Sequence, residues 1–373
     1  LFIAWVTLLS SMTLYYALSF VLILRIINHI TGYHTLNALA LIILYFGTIL
    51  FPLSTIGFIE NFGLIGFSGI LYFMLVRTDR PHYLIVSGLF MLLSLQIYYQ
   101  SILLIIPMTF YLIYDKRPYW LIWLGFSLLG VALILLFNWI VFDGPLDFPE
   151  NHWIGWNDPN FRVTDLGKDN SLSRIFNPLF IMSLLFNPRY GLFIFMPIVA
   201  MFIPAVIRFH RTNKPVALLC ELSLAAYFFF ILYLGKMAVR GIGSNFGFRY
   251  IVPFMPFVII ILTGDLLKNR VRPWQIIVMV GSLIINTAGA FTDPHISPDI
   301  PNPLIDHTLT LIVSQGFETF ISHFLRQCLG FNSLLVNYVQ VIPLVLVIWI
   351  LWRNELFQWW RSLKPSSSPK TTE

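Results

Sequence analysis

Residues 119–141 read YWLIWLGFSLLGVALILLFNWIV, and none of these side chains is charged. A transmembrane helix needs about 20 consecutive apolar residues, so this run predicts a helix that crosses a membrane. Two basic residues, Lys116 and Arg117, directly precede this run and mark the membrane surface from which the helix would enter the bilayer. The run is therefore the clearest membrane span in the sequence.

Apolar runs of similar length recur along the chain. The chain is 58% hydrophobic and only 11% charged, with a mean hydropathy of +0.79, which leaves too little polar surface to enclose a soluble core. We therefore expect an all-α, polytopic membrane bundle of about nine full spans. The spans are predicted at 1–24, 37–53, 63–76, 119–141, 191–208, 215–235, 249–267, 274–291 and 334–352.

The apolar segment 83–114 is flanked by basic residues at both ends, so it should leave and return to the same side of the membrane. Two helices of about 15 residues each would be shorter than the hydrocarbon core. We therefore expect a short hairpin whose turn, residues 96–100, lies in a protein-lined cavity. Tyr99 in this turn is a candidate substrate contact.

Lys and Arg are unevenly divided between the two sides of this map. One side holds 15 of the 23 basic residues in short connections and the C-terminal tail, and the other side holds 8. The first side is predicted to be cytoplasmic, and we expect a plasma-membrane protein with a cytoplasmic C-terminus. Because the basic residues are scattered between apolar runs, the net charge of +6 does not indicate nucleic-acid binding.

The predicted domain organisation is one transmembrane domain, residues 1–353, followed by a cytoplasmic tail, residues 354–373. The Ser, Pro and Lys content of the tail predicts disorder. Two long extracytoplasmic loops, about 142–190 and 292–333, are where a membrane enzyme can hold a polar substrate. Because the map begins outside, a cytoplasmic start would require an odd number of spans before Leu1, most simply one.

Two arginines are predicted at the extracytoplasmic starts of helices that run inward. Arg189 follows Asn187-Pro188, a favoured helix start, and Arg249 follows a glycine-rich approach that contains Ser244. Helix N-termini and arginines together favour a phosphate group, so these residues are candidate substrate contacts. In the alternative interpretation, the two arginines only anchor helix ends in the headgroup layer.

Glu60 is predicted at the extracytoplasmic start of another inward helix. A carboxylate there could act as a general base, bind an ammonium group or steady a cation, or it could simply complement the helix dipole. Lys236 and Arg240 in a neighbouring extracytoplasmic loop add positive charge and are further substrate-binding candidates. No motif identifies a cofactor or metal site, and a divalent cation has no support beyond scattered extracytoplasmic histidines.

Three segments, in this order, carry a family resemblance. They are FPLST at 51–55, NPRYGLFIFMP at 187–197 and GSNFGFRYIVPFMPF at 243–257. They are similar to the P-Y-S-T, S-P-R-x-G-L-F-x-x-x-P and G-x-x-x-G-x-R-Y-L-x-P-x-x-P-F motifs of GT-C-type integral membrane glycosyltransferases. The resemblance covers about residues 35–265.

This resemblance implies a polyprenyl-phosphate sugar donor, a lipid or glycan acceptor and membrane lipids as partners. The chain departs from the family in two places: its hairpin turn lacks the T-R pair, and Glu60 stands where relatives often have histidine. The family's catalytic acid usually lies in the first external loop, which the predicted map places before Leu1. The catalytic base is thus unassigned, with Glu60 as a candidate.

The sequence therefore predicts a membrane glycosyltransferase that acts at the extracytoplasmic face. A multi-pass lipid or solute transporter is one alternative, although symmetric halves with paired half-helices are not evident. A non-catalytic scaffold that retains the same fold is another.

Overall fold

The computed structural model describes most of the chain up to residue 317 and isolated positions beyond it. The described residues are 2–32, 35–54, 60–76, 80–147, 178–234, 246–247, 249–269, 271–292, 296–297, 300–317, 322, 325–326, 329–332, 335–336 and 342. Most of loop 142–190, the predicted span 334–352 and the tail 354–373 therefore lie outside the described residues.

All regular secondary structure in the described residues is helical, which confirms the all-α prediction for this part of the chain. The α-helices are α1 (Phe2–Thr31), α2 (Thr35–Phe46), α3 (Leu50–Leu53), α4 (Glu60–Leu75), α5 (Pro81–Ile97), α6 (Ile105–Tyr114), α7 (Trp120–Phe142), α8 (Pro178–Phe186), α9 (Leu192–Phe195), α10 (Phe202–Thr212), α11 (Lys214–Leu234), α12 (Met255–Lys268), α13 (Pro273–Ala290) and α14 (Thr310–Gln315). Three 3₁₀-helices cover Tyr99–Leu104, Pro197–Met201 and Arg249–Phe254, and a π-helix covers Pro303–Leu309.

Five described segments are long and apolar enough to cross a membrane. They are Leu14–Thr31, Trp120–Phe142, Lys214–Leu232, Arg249–Lys268 and Pro273–Ala290. Most of α7 is not covered by protein, and large side chains such as Ile140 and Trp139 are exposed on it. Exposed apolar faces of this length are expected where a helix meets lipid, so the helices indicate an integral membrane protein.

The predicted spans 37–53 and 191–208 are interrupted. The first is split at Gly47 into α2 and α3. The second ends after the four residues of α9, because Met196, which precedes Pro197, takes a non-helical conformation (φ −135°, ψ 69°). Continuous helices were the wrong prediction here.

Polar side chains of α13 hydrogen-bond to backbone groups near these two breaks. The side-chain amide of Asn286 lies within hydrogen-bond distance of the carbonyl oxygens of Gly47 (3.2 Å) and Phe195 (2.9 Å). One helical turn earlier, Ser282 accepts a hydrogen bond of 2.7 Å from the backbone N–H of Ile198. These contacts satisfy backbone groups that an apolar environment could not.

The predicted hairpin breaks where expected, but its two arms separate. α5 ends at Ile97, and the chain continues through the 3₁₀-helix Tyr99–Leu104 into α6. α5 packs mainly against α4 and α7, whereas α6 packs mainly against α11 and α7. The interruption at Tyr98 is therefore enclosed by neighbouring helices.

Glycines let α4 approach its neighbours closely. A Cβ atom at Gly63 would lie 2.8 Å from a Pro253 side-chain carbon, and one at Gly69 would lie 2.5 Å from the ring of Phe90. Small residues at helix contacts are typical of membrane bundles. The close approach brings the start of α4 to the 3₁₀-helix Arg249–Phe254.

The chain divides into two compact units. The first comprises Leu1–Ala290 and Pro294–Thr308, and it contains α1 to α13. The second comprises Phe291–Asp293 and Leu309–Glu373; within it, the rings of Phe291 and Phe317 stack at 5.0 Å.

Candidate functional site

A buried ion pair joins the start of α4 to the start of the 3₁₀-helix Arg249–Phe254. The Nε atom of Arg249 lies 3.3 Å from Oε1 of Glu60. The Glu60 side chain is only 4% exposed, and that of Arg249 is 21% exposed. Charged side chains within an apolar helical bundle are costly, which makes this pair a candidate functional site.

The packing of α4 explains why the two residues meet. Gly63, one turn after Glu60, lies against Pro253 of the 3₁₀-helix. One further turn along α4, the ring of Phe67 packs edge-on against Phe254 at 5.1 Å. These contacts fix the two helix starts side by side and thereby hold Glu60 next to Arg249.

Tyrosine side chains from three other helical segments surround Glu60. Tyr16 of α1, Tyr98 between α5 and its following 3₁₀-helix, and Tyr227 of α11 lie close enough to interact electrostatically with the carboxylate. All three are largely buried. The carboxylate thus lies at a point where α1, α4, α5 and α11 converge.

Hydrogen bonds hold these tyrosines in place. The Tyr16 hydroxyl donates to Oδ1 of Asn61 at 2.8 Å, and the Tyr98 hydroxyl donates to Oε1 of Gln100 at 2.5 Å. The Tyr227 hydroxyl donates to the backbone carbonyl of Tyr250. Because each of these hydroxyl protons is directed at a neighbouring acceptor, the tyrosines do not saturate the acceptor capacity of Glu60.

One carboxylate oxygen of Glu60 has an unmet acceptor capacity. Its Oε2 atom is buried and has no hydrogen-bond partner among the residues that the structure describes. Leaving a buried acceptor unsatisfied costs roughly 1–3 kcal/mol, and more for a charged group. The site can therefore accept a hydrogen bond or a positive charge from a ligand.

Arg249 is held by its neighbour as well as by Glu60. Its Nη2 atom lies 3.4 Å from the Tyr250 hydroxyl, and its guanidinium carbon is 5.1 Å from the centre of the Tyr250 ring. The 3₁₀-helix that begins at Arg249 continues into α12, so the positive end of a 20-residue helical segment adds to the arginine charge. An anionic group could bind at this helix start.

Asn187 has a different role from the predicted helix cap. Its Oδ1 atom accepts a hydrogen bond of 2.8 Å from the backbone N–H of Arg189, which stabilises a turn after α8. The next helix, α9, begins only after Gly191 and is four residues long. The predicted long helix beginning at Asn187-Pro188 is therefore wrong, and the dipole argument no longer applies to Arg189.

Arg189 itself is partly buried, and its Nε atom has no hydrogen-bond partner among the described residues. Within the described residues, the Arg189 side chain forms no ion pair with Glu60. The arginine that pairs with Glu60 is Arg249. A phosphate site shared by both arginines stays a prediction.

The remaining predicted site residues are distributed as follows. Tyr99 is half-buried, next to Tyr98 at the start of its 3₁₀-helix. Lys236, Arg240 and Ser244 lie outside the described residues. The described residues include no group of three or more His, Cys, Asp or Glu side chains that could hold a metal ion.

The tyrosines around Glu60 and the pairing of Glu60 with Arg249 were not predicted from the sequence. Tyr98 lies in the predicted hairpin turn, where two tyrosines and Gln100 were a signal of a polar interior position. Tyr227 lies in the middle of a long apolar run, and nothing local distinguishes it from a lipid-facing residue. Its burial depends on packing against the ring of Phe254, 3.7 Å away.

These features define the class: a helical membrane protein with a buried, charged site among its helices. The chain matches no protein-family model, no curated protein and no solved structure.

Proposed function

We propose that this protein is a membrane glycosyltransferase that moves a sugar from a polyprenyl-phosphate donor to an acceptor at the extracytoplasmic face. The observation that carries the proposal is the buried Glu60–Arg249 pair, in which Oε2 of Glu60 has no hydrogen-bond partner within the described part of the chain. Arg249 provides a donor for phosphate, and the open carboxylate oxygen provides an acceptor for sugar hydroxyl groups. The three sequence segments that resemble GT-C enzymes support the same assignment.

The proposed topology has about nine full spans and one short interrupted hairpin. The five long apolar segments account for part of this number. The others would be Leu36–Phe46, Glu60–Leu75, the interrupted segment 191–208 and the predicted span 334–352, most of which lies outside the described residues. The proposed orientation, with a cytoplasmic C-terminus, rests on the charge distribution, and the plasma membrane is the proposed location. Glu60 and Arg249 would then lie near the extracytoplasmic surface, and the two long loops would form the acceptor side.

In the proposed reaction, an acceptor hydroxyl attacks the anomeric carbon of the sugar. The bond between that carbon and the phosphate oxygen breaks, and polyprenyl phosphate leaves with the electron pair. The hydroxyl proton passes to a carboxylate base, which stays unassigned. Arg249 stabilises the charge that develops on the departing phosphate, and Glu60 holds the guanidinium in position.

A sugar-transfer assay with the purified protein tests this assignment. Purified protein in lipid would be given radiolabelled polyprenyl-phosphate mannose, glucose or arabinose together with membrane lipid extracts as acceptor. Arg249→Gln should lower turnover by about 10²–10³-fold, the usual effect of removing one donor to a developing anion. Arg25→Gln, which changes an exposed cation bonded weakly to Tyr72, should leave turnover unchanged. Equal turnover of the two variants would remove Arg249 from the mechanism.

A transporter is the second candidate, because interrupted helices often line transport sites. The breaks at Tyr98 and Met196 both lie inside the bundle. A transporter would move labelled substrate across a vesicle membrane without cleaving the sugar–phosphate bond. If neither transfer nor transport is detected, the non-catalytic scaffold is the remaining alternative.

A further inference from the structure

The ends of α10 and α12 and the start of α11 lie together at the end of the first unit that lies away from Glu60 and Arg249, and α13 begins shortly after α12 ends. The segment Arg249–Lys268 is 20 residues long, so its two ends are about 30 Å apart. At its far end, α12 terminates beside α10, and α11 and α13 begin a few residues after these helices end. A bidentate ion pair fixes the arrangement: Arg208 donates to the two carboxylate oxygens of Asp265 at 2.6 and 2.5 Å.

The acidic residues at this end are already paired. Asp265 is buried and also accepts a hydrogen bond of 2.8 Å from Asn269, in addition to those from Arg208. Glu221 of α11 pairs with Nδ1 of His210 at 2.9 Å. Neither carboxylate is therefore available to neutralise other cations nearby.

Four exposed basic residues remain, and we call them the basic end: Arg211, Lys214, Lys268 and Arg272. Among the residues that the structure describes, none of the four forms an ion pair. Arg211 and Lys268 each lie three residues beyond the Arg208–Asp265 pair on parallel helices, so both project about one turn past it. Arg211 and Lys268 therefore lie at the same end of the unit.

Two helix N-termini add to this positive charge. Lys214 begins α11, which has 21 residues, and Arg272 immediately precedes α13, which has 18. At the start of α13 the N–H groups of Arg272 and Gln275 already bond to the Gln275 side chain and to the Arg272 carbonyl, so what this helix start adds is its dipole, which favours an anion such as phosphate. The combination of four cations with two long-helix N-termini is more selective for phosphate than scattered basic residues are.

Apolar side chains border the basic end. Ile207 is 52% exposed, Val271 43% and Trp274 38%. Exposed tryptophan and aliphatic side chains next to cations are typical of the layer where headgroups meet acyl chains. A soluble anion would satisfy the cations but would leave these apolar side chains in water, so the rim favours a lipid.

From these observations we propose that the basic end binds the phosphate of an anionic glycerophospholipid, with the lipid's acyl chains against Ile207, Val271 and Trp274. The predicted topology places this surface at the cytoplasmic leaflet, where anionic lipids attract clustered Lys and Arg. The proposal is independent of the glycosyltransferase assignment, since it involves neither Glu60 nor Arg249.

Binding of short-chain lipids to the detergent-purified full chain tests the proposal. Dioctanoyl phosphatidylglycerol should bind more tightly than phosphatidylcholine of the same chain length, as measured by native mass spectrometry and by a thermal-shift titration. The quadruple variant R211Q/K214Q/K268Q/R272Q should bind phosphatidylglycerol at least about tenfold more weakly. Added salt should weaken binding to the unmodified chain in the same assay.

The double variant R25Q/K116Q is the matched control, because it removes two exposed cations that lie elsewhere on the same predicted side. It should bind phosphatidylglycerol as the unmodified chain does. If the quadruple variant does not fold, R211Q/K214Q and K268Q/R272Q should each weaken binding partially, whereas R211K/R272K should not.

Two results would overturn the proposal. The first is equal affinity for the two lipids, or undiminished phosphatidylglycerol binding by the variants. The second is displacement of bound phosphatidylglycerol by inorganic phosphate at the same concentration as the lipid. That result would make the basic end a site for a free anion.

Discussion

Glu60 and Arg249 stabilise each other in an environment where either charge alone is costly. Removing one partner of a buried pair leaves an uncompensated charge and usually costs several kcal/mol, with less expected here because Arg249 is 21% exposed. We expect Glu60→Gln and Arg249→Met each to lower the thermal unfolding temperature. The double variant should be less destabilised than the sum of the two, with a coupling energy of about 1–3 kcal/mol.

Thermal unfolding of the four proteins in the same detergent measures this coupling. Strictly additive effects would mean that the ion pair does not contribute. Activity separates the two roles in the proposed reaction: Glu60→Asp, which keeps the charge, should restore part of the turnover that Glu60→Gln loses.

The pairing itself was not predictable from the sequence. Glu60 and Arg249 were each identified as site candidates, because a charge at the start of an apolar run is visible locally. Their contact depends on the close approach of Gly63 to Pro253, which involves two distant segments. Sequence patterns locate such charges along one helix, but packing between helices decides which charges meet.

Among the helices, α4 depends on glycine for its position. At Gly63, an added Cβ would lie 2.8 Å from the rigid Pro253 ring, so Gly63→Ala should push the start of α4 from the Arg249 segment. We expect a loss of about 1–3 kcal/mol of stability and reduced transfer activity. Gly125→Ala on α7, where a Cβ meets nothing within 4 Å, is the matched control and should be neutral or slightly stabilising.

The stability of the interrupted helix between Leu192 and Thr212 depends on a hydrogen bond to α13. Ser282→Ala leaves the buried N–H of Ile198 without its acceptor and should cost about 1–3 kcal/mol, as measured by thermal unfolding. Ser127→Ala is the matched control: Ser127 is equally buried, but its hydroxyl bonds only to the carbonyl of Trp123 in its own helix. Equal losses from the two substitutions would contradict the role given to Ser282.

The contrast between α7 and the interrupted helix shows what the composition of a segment can predict. Residues 119–141 contain no charge and no proline, and the observed helix, Trp120–Phe142, differs from the prediction by one residue at each end. Residues 191–208 are equally apolar, but Pro197 removes a backbone donor and forces Met196 out of the helical conformation. An average over the segment conceals such a break, and its polar partners lie on α13, far along the chain.

At the scale of the whole molecule, α7 gives the most direct test of the predicted orientation. It has 23 residues and is therefore about 35 Å long, enough to place its two ends on opposite sides of a bilayer. Lys116 before it and Leu146 after it are both exposed, so cysteines at these positions can react with a water-soluble maleimide.

With Cys220 and Cys328 replaced by serine, Leu146→Cys should be labelled by an impermeant maleimide added to intact cells. Lys116→Cys should be labelled only after the membrane is permeabilised, because the charge distribution places it in the cytoplasm. Labelling of both positions in intact cells would mean that α7 does not span, and the reverse pattern would invert the map. An inverted map would put Glu60 and Arg249 on the cytoplasmic side, where the proposed transfer from an extracytoplasmic donor could not occur.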